Sequence, residues 1–327
     1  MMRKMLPLAL VLAGCSAGEP EAPADVATYD IDPGRITVSG ISSGAYMAGQ
    51  LHVAYSGLIE GAALLAGGPY FCAEGSVTRG IGPCMQGGDL DTGALAGRAR
   101  TLAESGDIDP VTNLAGDPVW IFIGTLDEQV SHEVAEAAAA FYRELDAEVT
   151  LVDDVEVVHG MPTADTGNAC DSFASPFLQN CDYDAAGELL ATLDGTAARR
   201  SEPAGELVGI PQPGGPDAGM LDEALLYVPA ACATGASCGV HIAFHGCSQS
   251  SAFVGEAFAA GAGFNQWADS RRLLVLYPQV DSSKIAPVNP YGCWDWWGYT
   301  GDEYATKRGA QPTVVKATLD LLAGKTL

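Results

Sequence analysis

Along most of the chain, short apolar runs rich in β-branched residues alternate with stretches of helical periodicity. That alternation is the pattern of a parallel sheet covered by helices. Strands are predicted at 35–39 (RITVS), 61–66 (GAALLA, closed by Gly67-Gly68-Pro69), 118–123 (PVWIFI), 225–229, 240–244 and 273–277. A further strand region starts at 148–152 and runs on toward Val158. Helices are predicted at 45–55, at 131–145 with Ser131 as N-cap and Glu133 in the first turn, and at 312–323. The last (PTVVKATLDLLA) has proline at its start and Gly324 at its end. Residues 199–219 are rich in Pro and Gly, but strand-like runs resume directly beyond them. They read as a long loop or hairpin inside one domain, taken as residues 28–327. No internal repeat is visible.

The first residues break the pattern. Arg3 and Lys4 precede a short apolar stretch, 6–13, that is too brief to span a bilayer and ends in Leu12-Ala13-Gly14-Cys15. This resembles a bacterial lipoprotein signal, 1–14, which implies cleavage before Cys15 and lipidation of its sulfur. The rival is a plain secretory signal with Cys15 discarded. Residues 15–27, Pro-, Ala- and Glu-rich without periodicity, read as a flexible tether. The expected location is outside the cytoplasm, either lipid-anchored in the envelope (outer membrane or periplasm) or secreted.

Charge narrows the partners. With 41 acidic and 16 basic residues the net charge is −25, which repels nucleic acid and anionic membranes alike. Contact with a membrane is expected only through the lipid at Cys15, and the chain is expected to be a monomer. Of the nine cysteines, eight remain once Cys15 is set aside. An even number in an exported chain suggests a disulfide-stapled fold, although roughly a hundred pairings are open to eight cysteines. Short loops favour Cys72–Cys84, Cys170–Cys181 and Cys232–Cys238, which leaves Cys247–Cys293. Zinc is the rival use of these residues, but no C-x-x-C pair occurs, and no metal site is expected.

Candidate chemistry begins at Gly40-Ile41-Ser42-Ser43-Gly44. This fits G-x-S-x-G in one register only, with a strand before it and a helix after it. A nucleophilic serine needs that strained strand-to-helix turn, and side chains two positions to either side would collide with it. A hydroxyl also needs a base, and the base needs an acid to orient it. In such folds both follow the serine, acid first. Asp127 lies just beyond the 118–123 strand and His159 beyond the next strand region. Ser42, Asp127 and His159 are therefore the candidate triad, with Asp153 and Asp154 as rival acids. Asp127 could instead cap the following helix, and His159 could be a surface loop histidine. His52 and His132 fall within or at the start of helices and His241 within a strand, all poor places for a base.

An oxyanion hole needs two backbone donors: the N–H after the nucleophile, here Ser43, and one from a loop after an earlier strand, often beginning His-Gly. No His-Gly precedes Ser42, but one follows the 240–244 strand as His245-Gly246-Cys247. If the natural first half of the sheet stands at the end of this chain, the Cys247 N–H is the second donor and His245 holds the loop. Such a rotation costs little where the original ends lie close together.

The segments YDIDPGRITVSGISSGAYMAGQLHVAYS, AALLAGGPYFCA, HIAFHGCSQS and NPYGCWDWWGY resemble the extracellular poly(3-hydroxybutyrate) depolymerases, specifically their circularly permuted, single-domain type within the α/β-hydrolase superfamily. The likeness runs over roughly residues 29–310. It implies a mostly parallel central sheet flanked by helices, Ser42, Asp127 and His159 as triad, and the Ser43 and Cys247 amides as oxyanion donors. It implies no cofactor. The expected substrate is poly(3-hydroxybutyrate) or its hydroxyacid oligomers, hydrolysed through an acyl-enzyme on Ser42. Two departures stand out: Ala45 occupies a position where many relatives have a second glycine, and the lipobox is unusual among freely secreted enzymes. An anchored enzyme would favour shorter, soluble oligomers.

Residues 289–299 hold three of the five tryptophans: Trp294, Trp296 and Trp297, with Tyr291 and Tyr299 beside them. Flat rings can bind an apolar polyester, so Tyr291, Trp294, Trp296 and Trp297 are candidate substrate contacts; alternatively, alternate rings fill the core below. Two other functions stay open, a feruloyl- or acetyl-xylan-type carboxylesterase and a non-catalytic envelope lipoprotein.

Overall fold

The apolar runs assemble into one eight-stranded sheet in a computed structural model that describes residues 26–195, 197–200 and 202–327. The proposed leader, Cys15 and all but the last two residues of the tether lie outside the described residues. In chain order the strands are β1 (Ile31–Ile41), β2 (Ala62–Leu65), β3 (Pro118–Phe122), β4 (Glu148–Val152), β5 (Met161–Thr163), β6 (Asn168–Ala169), β7 (Leu178–Asn180), β8 (Glu206–Pro211), β9 (Glu223–Val228), β10 (Cys238–Phe244) and β11 (Leu273–Tyr277). The large sheet runs β4-β3-β2-β1-β10-β11-β9-β8, and β5, β7 and β6 form a small second sheet. From β4 to β11 all neighbours are parallel; β9 and β8 add an antiparallel edge.

Burial explains the sequence pattern. Every residue of β10 and β11 is buried, as strands covered on both faces must be, so they read as continuous apolar runs. Alternate side chains feed two cores. Val38, Leu64, Ile242 and Leu276 pack with the helices Ser43–Ala54 and His132–Arg143 on one face. Ile41, Leu65, Ala243 and Val275 pack with Ala185–Asp194 and Asn265–Arg271 on the other. Each buried aliphatic side chain contributes about 1.5–3 kcal/mol.

Two expectations change in detail. The strand from Glu148 stops at Val152, because the exposed Asp153 and Asp154 leave the sheet edge. Its continuation still serves the site, since the carbonyls of Val155 and Val157 accept the Thr125 and Leu126 N–H groups at 2.9 and 3.2 Å. The Pro/Gly-rich segment contains β8, paired with β9 through Ile210 and Ala224 as a hairpin on the sheet edge. The final helix, Ala310–Ala323, ends at Gly324 with φ +64°. Beside it, the Tyr29 N–H donates to the Leu322 carbonyl at 2.8 Å, so the start of β1 lies against the end of that helix. Disulfides join Cys72–Cys84, Cys170–Cys181, Cys232–Cys238 and Cys247–Cys293. Among the described residues no helix is long and apolar enough to cross a membrane.

Candidate active site

Strand β1 runs into the helix Ser43–Ala54 with a single residue between, and that residue is Ser42, at φ +57° and ψ −122°. A side chain in that region costs about 1–3 kcal/mol and persists only where its surroundings impose it. Here they do. A Cβ on Gly40 would stand 2.1 Å from the Gly44 carbonyl oxygen, and one on Gly44 would stand 2.4 Å from that of His245. The glycines let the turn close on itself and against the end of β10. The Ala45 methyl is accommodated because Gly67 faces it, where a Cβ would come within 2.4 Å.

Asp127 and His159 meet at the neighbouring strand ends. The Asp127 carboxylate is 1% exposed, and one of its oxygens accepts the Gln129 and Val130 N–H groups at 2.8 and 2.9 Å. The other accepts from His159 Nδ1 at 2.7 Å. Three donors compensate the buried charge and hold the imidazole with its basic nitrogen, Nε2, free. Gly124 permits the close approach of the two loops, since a Cβ there would lie 2.1 Å from the Val157 carbonyl oxygen. Neither Asp153 nor Asp154 bonds to His159 among the described residues; both are exposed beyond β4.

The third component is the turn after β10. His245 is fully buried, donates from Nδ1 to the Gly246 carbonyl at 2.7 Å and accepts the Val280 N–H on Nε2 at 3.3 Å. Burial pushes its pKa down to about 4, so it stays neutral and braces the turn. Around it most N–H groups are engaged: Gly246 donates to Gln249 Oε1 at 2.7 Å and Ser248 to the Tyr291 carbonyl at 2.6 Å. The N–H groups of Cys247 and Ser43 have no acceptor among the described residues. The two turns are adjacent, with Cys247 Sγ 3.4 Å from Ser43 Oγ.

Ser42, His159 and Cys247 line one cleft of about 430 Å³, together with Met85, Phe177 and Tyr291. The Ser42 hydroxyl makes no hydrogen bond among the described residues; such bonds often tighten only once substrate is bound. A second cavity of about 410 Å³ lies beyond His159, is lined by Asp127, Glu128 and Asp171, and shares Gln129, His159 and Phe173 with the first.

The aromatic segment divides. Tyr291 lines the cleft and is 63% exposed. Trp294, Trp296 and Trp297, expected as substrate contacts, are not among its lining residues. Trp294 is fully buried, edge-on to Phe244, and its indole N–H donates to the His245 carbonyl at 3.0 Å. Trp296 stacks on Tyr46 with centroids 4.3 Å apart, and Trp297 packs against Trp296 and Tyr299. The cause is Asp295, whose buried carboxylate accepts the N–H groups of Gly298, Tyr299 and Thr300 and curls the segment inward. The backbone N–H of Trp294 donates to Ser43 Oγ at 3.3 Å, so the segment is fastened to both turns by that bond and by Cys247–Cys293. Met85, Phe173 and Phe177 were not anticipated. The available signal was two phenylalanines in a polar, Pro-containing turn between Cys170 and Cys181.

No protein-family model matches the chain. Over 325 residues it is 38% identical to the poly(3-hydroxybutyrate) depolymerase of Delftia acidovorans, covering 96% of this chain and 65% of that protein. It is 34% identical over 305 residues to the polyhydroxybutyrate depolymerase of Talaromyces funiculosus, covering 88% and 89%. The crystal structure of the PHB depolymerase from Penicillium funiculosum superposes with a TM-score of 0.85 at 31% identity, covering 91% of this chain and 98% of that one. A PHB depolymerase complexed with an R3HB trimer superposes at 0.86, also at 31% identity and with the same coverage.

Proposed function

The chain belongs to the poly(3-hydroxybutyrate) depolymerase family, and on that premise we propose that it is a serine esterase hydrolysing poly(3-hydroxybutyrate) or its oligomers. The observation that carries the reading is that Ser42, the Asp127-bound His159 and Cys247 line one cleft, while the N–H groups of Cys247 and of Ser43, next in the chain to Ser42, have no acceptor among the described residues. Ser42 Oγ attacks the ester carbonyl carbon while His159 Nε2 takes its proton. The carbonyl oxygen becomes an oxyanion held by the Ser43 and Cys247 N–H groups, and Asp127 stabilises the imidazolium. Collapse breaks the ester C–O bond, and the leaving alkoxide takes the proton from His159. Water then repeats the sequence on the acyl-enzyme and releases the hydroxy acid. Base and oxyanion hole each contribute about 10²–10⁴-fold.

Three further readings accompany this one. Read from its antiparallel edge, the sheet runs β8-β9-β11-β10-β1-β2-β3-β4, so the strand carrying the nucleophile is the fifth in space yet the first in the chain. With the end of the last helix against Tyr29, this supports a circular permutation of an α/β-hydrolase, residues 28–327 acting as one catalytic unit. The four disulfides support an exported protein. Lipidation of Cys15 after removal of 1–14 rests on the lipobox resemblance alone.

The test is a product profile from defined 3-hydroxybutyrate oligomers beside polymer film, run with the wild-type protein and Ser42→Ala. Release of hydroxy acids by wild type and none by Ser42→Ala is expected. Hydrolysis retained in the folded variant would refute the mechanism, while preferential release of ferulate or acetate from plant-wall esters would replace the substrate class.

A further inference from the structure

We infer that Glu128 and Asp171 make the enzyme discriminate against ester bonds whose alcohol side ends at once in a free carboxylate, an inference that rests on the function proposed above. The alcohol side of the ester must leave past His159, because the imidazole protonates its oxygen. Space exists there: the cavity beyond His159 adjoins the Ser42 cleft, the two sharing Gln129, His159 and Phe173 as wall residues. The two spaces differ in character. Around Ser42 the lining holds no Asp, Glu, Lys or Arg, with Ile41, Met85, Phe177 and Tyr291 among its members. Beyond His159 it includes three carboxylates, Asp127, Glu128 and Asp171, and neither cavity has a Lys or Arg in its wall.

Asp127 is committed to His159 and two N–H groups. Glu128 and Asp171 are exposed, and neither has a hydrogen-bonding or ion-pair partner among the described residues. They stand on separate loops, after β3 and after β6, so they flank the path. A polyester interior is neutral and passes between them without cost. When the scissile bond is the last one before the acid end, the leaving unit carries its carboxylate into this space, a single hydroxyacid unit from the ester oxygen. Like charges meet there, with no Lys or Arg in either wall to relieve them and the His159 imidazolium already paired with Asp127. Bonds further from the acid end keep that charge outside, so cleavage is directed toward the interior or the hydroxyl end. For exposed charges the effect is several-fold and is screened by salt.

The test compares the 3-hydroxybutyrate trimer with its methyl ester, which removes the terminal charge and leaves both scissile bonds. Kinetics and product ratios are measured for wild type, Glu128→Gln/Asp171→Asn, and a charge-matched control, Glu104→Gln/Asp302→Asn, whose exposed residues line neither cavity. Methylation is expected to raise wild-type kcat/KM about fivefold at low salt and shift cleavage toward the acid-end bond. In Glu128→Gln/Asp171→Asn the gain should fall below about twofold, and about 0.5 M salt should shrink it in wild type, while the control behaves as wild type. An equal response to methylation in wild type and Glu128→Gln/Asp171→Asn would overturn the inference and leave the esterase reading standing. Failure of wild type to hydrolyse either trimer would instead overturn that reading, and the inference with it.

Discussion

Two histidines at the same rim of the sheet show how surroundings decide what one side chain can do. His159 is 12% exposed, lines the cleft and bonds through Nδ1 to the Asp127 carboxylate, which leaves Nε2 free. His245 is sealed between a carbonyl, an N–H and the rings of Trp294 and Phe258, and burial holds it neutral. The first has a nitrogen free toward the cleft, as the proposed proton transfer requires, and the second keeps a turn in shape. His241, a third case, lies buried between Thr37 Oγ1 and Ser39 Oγ at 2.8 and 2.7 Å, its pKa pushed down to about 3, and ties β10 to β1.

The largest effect should come from removing the proposed proton carrier. His159→Asn is expected to lower kcat/KM for a neutral short ester by about 10³-fold or more, with the melting temperature near that of wild type. A variant that melts as wild type and still turns over at wild-type rate would erase the contrast. Gly44→Ala forces apart the two turns that the glycines let touch, and overpacking of this kind costs about 1–3 kcal/mol. It should lose activity together with stability, read by melting and assay on the same sample. His245→Ala leaves the buried Val280 N–H without its acceptor and should cost about 1–3 kcal/mol, with a smaller loss of activity than His159→Asn.

The last effect is a pH dependence of the same His245 contribution. With His245 at about 4 in the folded protein and about 6.5 in the unfolded chain, the unfolded state binds the proton first as pH falls. The stabilisation from a neutral His245 is therefore complete above pH ~6.5 and drains away toward pH ~4. The gap in unfolding free energy between wild type and His245→Ala should narrow across that window, by at most about 3 kcal/mol. A gap that stays constant from pH 7 to 4 would mean His245 titrates normally.

The fold was legible where burial imposes a simple rule. Residues 273–277 form a strand because every position is covered and every one is apolar, and the glycines around Ser42 show in the sequence because nothing larger fits. The positions of Asp127 and His159 beyond their strands could be read from where the apolar runs stop. The tryptophans were less legible, because composition does not tell which way a loop curls; that depends on Asp295 finding three N–H groups. The cleft wall was least legible. Phe173 and Phe177 lie in an irregular turn with no periodicity, placed by long-range contacts such as Gln249 Nε2 donating to the Pro176 and Phe177 carbonyls at 2.9 and 3.2 Å.

Everything turns on a hydroxyl, an imidazole and two amides facing a single point. The most direct test is a crystal structure of the protein after reaction with a fluorophosphonate. The phosphorus is expected on Ser42 Oγ, its non-bridging oxygen within about 3 Å of the Ser43 and Cys247 N–H groups, and His159 Nε2 beside the leaving position. Phosphonylation at another residue, or an oxygen turned away from Cys247, would contradict it.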